Sequence, residues 1–171
     1  LLGMLLFVTS VTYGQSASDY YKRAVSKFNQ KDYSGAVVEY TRAISIDSTS
    51  EILFNNRGVA KAKLTYFSDA IDDYDVAIRL NPKFHMAYFN RANAHKEISE
   101  YSEALIDYDK AIELNPDATD FYEGNRHFYK KKFKKAVQHY NKAIEKNPTL
   151  TVAYLNRGRA RQVLKDKDGA I

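Results

Sequence analysis

The chain has no cysteine and no tryptophan, and only three prolines and seven glycines in 171 residues. Without cysteine there is no disulfide, no thiol nucleophile and no Cys-ligated metal, and nothing marks the redox compartment. The few glycines are scattered, so no phosphate-binding glycine loop forms, and no nucleophile elbow or acid pair appears. No catalytic constellation is present and the chain is not expected to be an enzyme. Charge of one sign is scarce too. A net charge of +5 is a modest excess that does not mark a nucleic-acid binder. The four histidines, His85, His95, His127 and His139, lack metal-ligand spacing of the HExxH type. They are read as hydrogen-bonded structural side chains. Asp69, Asp72, Asp73 and Asp75 lack the calcium-loop pattern. No metal or other cofactor is expected.

Long apolar runs are confined to the N-terminus. Leu1 to Val11 reads LLGMLLFVTSV, and no charge occurs before Asp19. The run is too short to span a bilayer alone. Followed by Thr12, Tyr13, Gly14 and Gln15, it has the pattern of the end of a secretory signal peptide cleaved after Gly14. Residues 1–14 are therefore expected to be a partial signal peptide, and the protein exported to the periplasm or cell envelope. The alternatives are a membrane anchor through this segment, or an apolar element of a larger domain. A leader ending just before glutamine resembles those of exported Bacteroidetes proteins.

What the chain does contain is a period. Ala36 and Ala43 are followed 34 residues later by Ala70 and Ala77, then by Ala104 and Ala111, and after 32 by Ala136 and Ala143. One tyrosine lies inside each pair: Tyr40, Tyr74, Tyr108, Tyr140. An isoleucine follows each: Ile44, Ile78, Ile112, Ile144. Three units close with Asn-Pro at Pro82, Pro116 and Pro148. A period of this length marks stacked repeats. Within Glu51–Phe84, two helical patterns flank Leu64-Thr65-Tyr66, and proline ends the second because it cannot continue the hydrogen-bond ladder. Each unit thus reads helix, turn, helix. Small residues at Ala24, Gly58, Ala92, Gly124 and Gly158 let the paired helices approach closely.

These units resemble tetratricopeptide repeats, from residue 17 to residue 171. The resemblance implies an all-α, right-handed superhelical solenoid of helix-turn-helix repeats over 15–171. Its units are 17–50, 51–84, 85–116, 117–150 and a truncated 151–171. The first unit ends Asp47-Ser48 where the others have Asn-Pro, so its turn is expected to be less sharply fixed. Two residues are missing between Pro116 and Gly124, and a sub-array boundary is expected at Asp117–Thr119. Glu123-Gly124-Asn125, with Phe128 and Phe133, resembles the opening repeat of chaperone-binding modules of this family.

In this family the first helices line a concave groove. Carried over, that face holds Tyr21, Val25, Asn55, Asn56, Val59, Phe89, Asn90, Asn93, Phe121, Tyr122, Asn125, Leu155, Asn156 and Arg159. An asparagine amide both donates and accepts, so it can bond peptide backbone without reading sequence. Aromatic rings add apolar contact at low entropic cost. The implied role is a non-catalytic scaffold that binds an extended peptide or partner helix. The alternative is the accessory part of a longer enzyme or signalling protein continuing past residue 171. Some members grip a terminal carboxylate with two Lys, one Arg and two Asn. The corresponding positions in the first three units are Tyr21, Val25, Asn56, Met86 and Asn90, so only one of five matches. From the fourth unit Asn125 and Asn156 match, but Phe121 replaces the lysine. No such clamp is expected. Lys130, Lys131, Lys132, Lys134 and Lys135 bracket Phe133 at an inter-helix turn and are read as a solvated face.

Overall fold

The computed structural model describes residues 15–168. The leader and its cleavage point lie outside them, apart from Gln15. Nine α-helices, and no strand, occur among the described residues: α1 Ala17–Asn29, α2 Tyr33–Ile46, α3 Glu51–Lys63, α4 Phe67–Leu80, α5 His85–Glu97, α6 Tyr101–Leu114, α7 Thr119–Tyr129, α8 Phe133–Lys146 and α9 Thr151–Asp168. Each helix packs on the next, as a repeat array requires.

The start of α1 is fixed by a capping box. Ser16 Oγ accepts from Asp19 N at 3.2 Å, and Asp19 Oδ2 accepts from Ser16 N at 2.9 Å, which satisfies two amides left free by the helix end. The paired helices are joined by tight turns that each place one residue in the left-handed region: Lys31, Thr65, Ser99 and Lys131, with φ between 56° and 68°. Between units, Asn81 Oδ1 accepts from Lys83 N and Asn147 Oδ1 from Thr149 N. Asp47 Oδ1 accepts from Thr49 N in the same way at 2.9 Å. The first unit's turn is therefore built like those of the second and fourth, because aspartate makes the same side-chain turn as asparagine.

Alanine makes the close contacts. Ala24, Ala36, Ala43, Ala70, Ala77, Ala92, Ala111 and Ala136 are fully buried, and Tyr74, Tyr108 and Tyr140 fill the space beside them. Where α7 begins, Pro116–Ala118 forms a 3₁₀ turn. α7 has 11 residues against 13 in α5, as the two-residue deficit in the sequence requires. The junction between α6 and α7 is the thinnest between consecutive helices.

Candidate functional site

A cavity of about 460 Å³ opens among α3, α4, α5, α7 and α9. Phe89, Asn90, Asn93, Phe121, Asn125, Asn156 and Arg159 line it, together with Val59 and Leu155. Odd-numbered helices supply most of the wall. Tyr21, Val25 and Asn56 line a smaller hollow of about 260 Å³ between α1 and α3, which shares Val59 with the main cavity. Tyr122 lines a third hollow of about 420 Å³ that shares Phe89, Asn90 and Phe121 with it.

Asn55 lies at none of these surfaces. It is 2% exposed, donates to Asn56 Oδ1 at 3.1 Å and accepts from Asn90 Nδ2 at 2.9 Å. One residue along a helix turns the side chain by about 100°. Of the adjacent pair, only Asn56 lines a hollow.

The asparagines form a layered network. Asn125, also 2% exposed, accepts at Oδ1 from the Tyr140 hydroxyl at 2.8 Å and from Asn156 Nδ2 at 2.9 Å. Two donors on one oxygen fix the amide orientation. Asn125 Nδ2 is then left buried, with no hydrogen-bond partner among the described residues. An unmet buried donor is costly. Asn93 Oδ1 accepts from Tyr108 at 2.6 Å and from Tyr129 at 3.4 Å. Tyr108 and Tyr140 thus fill the core and hold groove amides. Burial pushes the Tyr40 and Tyr122 hydroxyls up to about 12, raises Tyr74 and Tyr140 further and holds Tyr108 well above its ordinary value, so all remain neutral.

Beside the amides stands an aromatic wall. Phe89 stacks on Tyr122 at 4.7 Å between ring centroids and meets Phe121 at 5.7 Å. Sequence reasoning missed Tyr129, Lys63 and Lys96 at the cavity. Lys96 Nζ lies 4.6 Å from the Tyr129 ring centroid, where the ring face attracts a cation. A signal existed for Tyr129, which falls one helical turn after Asn125. The lysines of 130–135 lie exposed around the α7–α8 turn. Histidines that no spacing motif joins are joined by the fold: Glu123, His127 and His139 converge on one side of α7 and α8.

Comparison with known proteins bears on this geometry. Residues 85–118 match a family model described as a tetratricopeptide repeat, and residues 124–163 match one described as a TPR repeat. A search of curated proteins finds no match. The first TPR of Spaghetti (RPAP3), solved with the HSP90 peptide SRMEEVD, is similar with a TM-score of 0.65 and 26% identity over 70% of this chain and 94% of that one. The second TPR of Spaghetti, solved with the same peptide, gives 0.58 and 28% over 59% and 94%. The Sgt2 TPR domain from Aspergillus fumigatus has the same fold, with a TM-score of 0.64 at 24% identity over 71% of this chain and 82% of that one.

Proposed function

We propose that this chain, an all-helical array of tetratricopeptide repeats, is a non-catalytic protein-interaction scaffold that binds an extended peptide in the cavity between α5, α7 and α9. The observation that carries the reading is that the amides of Asn90 and Asn156 line one cavity with the rings of Phe89 and Phe121. Asn90 and Asn156 donate to Asn55 and Asn125, and no bond among the described residues engages their own oxygens, which can accept peptide N–H groups. The rings take an apolar side chain. Lys63, Lys96 and Arg159 outnumber Glu97 at the rim, which favours an acidic residue nearby.

Two structural neighbours were solved with a peptide ending in aspartate. This chain lacks the lysines for a terminal-carboxylate grip in its first three units, where Tyr21 and Met86 stand instead. The proposed ligand is therefore held along its backbone and not by its end. Fluorescence anisotropy against a panel of internal and C-terminal peptides tests this. Recognition that survives amidation of the peptide's C-terminus supports the reading, and recognition abolished by amidation removes it. We further propose, from the apolar run Leu1–Val11 and the small residues before Gln15, that the protein is exported to the cell envelope with residues 1–14 removed. Intact mass of the exported protein should begin at or near Gln15.

A further inference from the structure

Three positions recur across the helix pair of every unit. The first precedes the small residue of the odd helix, the second lies one turn later, and the third precedes the tyrosine of the even helix. In the first unit they are Arg23, Lys27 and Glu39. In the second they are Arg57, Lys61 and Asp73, and in the third Arg91, His95 and Asp107. Each first position makes an ion pair with the third: Arg23–Glu39 at 3.1 Å, Arg57–Asp73 at 2.6 Å and Arg91–Asp107 at 2.7 Å. The acids are almost fully buried, so each pair clamps its two helices.

The fourth unit replaces the first and the third, and shares histidine at the second with the third unit. The residues are Glu123, His127 and His139. The clamp of one cation on one carboxylate is gone, and three metal-ligating side chains stand in its place. Their ligand atoms all lie within 4.8 Å of one another. His127 Nε2 is 3.6 Å from Glu123 Oε2, and the two imidazoles stack at 5.1 Å. His127 Nδ1 is buried without a hydrogen-bond partner among the described residues, so no bond to the protein occupies that nitrogen. His139 Nδ1 lies 3.4 Å from Asp120 Oδ1, and Lys146 holds the other oxygen of that carboxylate at 2.6 Å. A carboxylate behind an imidazole is the arrangement that orients a metal-bound histidine.

We infer that Glu123, His127 and His139 form a binding site for a divalent transition ion of the zinc class, which joins α7 to α8 where the other units use an ion pair. Two imidazoles and one carboxylate suit zinc and its borderline neighbours, and exclude calcium and magnesium, which take oxygen. Zinc donors sit about 2.0–2.1 Å from the ion, so donor atoms end roughly 3.4 Å apart. Side-chain rotation on the order of an ångström closes the site. Arg126 must release Glu123, which it now meets at 3.1 Å, but it keeps Asp109 at 3.0 Å. Three protein ligands leave a fourth position for water or a donor from a partner.

The test is calorimetric titration of zinc chloride into the tag-free chain near neutral pH, with cobalt substitution read by visible absorption. The expected result is one saturable site with a tetrahedral cobalt spectrum. His127→Ala, His139→Ala and the near-isosteric Glu123→Gln should each weaken binding at least about tenfold, and Asp120→Asn by about tenfold. His85→Ala and His95→Ala should leave it unchanged. Circular dichroism checks that each variant is folded. No saturable heat, or zinc binding that survives in folded Glu123→Gln and His139→Ala, overturns the assignment.

Discussion

Gly124 lies directly against the ring of Tyr140: a Cβ on this glycine would stand 2.5 Å from both Cδ1 and Cε1. The ring is fully buried and its hydroxyl is tied to Asn125, so it cannot swing away. Gly58 faces Tyr74 in the same way at 2.7 Å, whereas an added Cβ at Gly158 would meet nothing within 4 Å. Gly124→Ala should therefore destabilise the array by about 1–3 kcal/mol through overpacking, despite its better helix propensity. Gly58→Ala should lose a similar amount against the Tyr74 ring. Urea midpoints of both variants should fall below that of the parent chain. Ala92 occupies the equivalent place against Tyr108, so alanine is tolerated where a whole unit is spaced for it.

The ion pairs are unequal in redundancy. Asp73 meets Arg57 at 2.6 Å and Lys61 at 2.9 Å. Asp107 meets Arg91 at 2.7 Å, but its second neighbour is His95 at 4.0 Å. Removing one partner of a buried pair costs about 3–5 kcal/mol because the remaining charge is left uncompensated. Arg91→Met should approach that loss. Arg57→Met should cost clearly less, because Lys61 still neutralises Asp73. Chemical denaturation of both variants checks the order, and equal losses would show that Lys61 contributes nothing.

Alkali should unfold the array. Burial holds the Tyr40 and Tyr122 hydroxyls up to about 12, those of Tyr74 and Tyr140 higher still, and that of Tyr108 well above its ordinary value. In the unfolded chain tyrosine ionises near 10. Above that pH the unfolded state gives up protons that the folded state retains, so stability is fully present below about 10 and falls as pH rises to 12 and beyond. Tyrosinate absorbance should lag in the native protein, then rise together with loss of helical circular dichroism. A gradual rise with full helicity retained would contradict the burial of these hydroxyls.

The repeat, the helix ends and the closely packed alanines were legible because each depends on local spacing. Alanine at seven-residue steps and Asn-Pro stops are statements about one helix at a time. Asn55 was misplaced for the complementary reason. Adjacent asparagines on one helix look alike in sequence, and only the register of α5 against α3 decides that Asn55 bonds Asn90 while Asn56 lines a hollow. Glu123, His127 and His139 escaped notice because His139 lies on another helix, so no motif search over contiguous residues joins them. The recurrence of Arg57–Asp73 sixteen residues apart was present in the sequence, and comparison of units at those positions would have exposed the exchange. Asp47 shows the opposite error: its departure from Asn-Pro looked like a weakness, yet the aspartate closes the same turn.

The groove itself makes the most direct prediction. Asn90 and Asn156 stand at one cavity with Asn125 between them in the chain, and Asn156 reaches Asn125 Oδ1 at 2.9 Å. Asn156→Ala removes an amide oxygen available to the peptide and strips one donor from the group that fixes Asn125. Asn90→Ala removes the equivalent oxygen on α5. Losing one partner of a desolvated peptide bond costs about 1–3 kcal/mol, so each variant should bind a selected peptide roughly ten- to hundred-fold more weakly. Lys131 and Lys134 lie exposed at the α7–α8 turn, and their replacement by alanine should matter only at low salt, where screening is weak. Anisotropy titrations with all four variants at two ionic strengths separate the sites. If the lysine variants abolish binding while both asparagine variants retain full affinity, the peptide does not occupy the cavity, and the basic turn is where it docks.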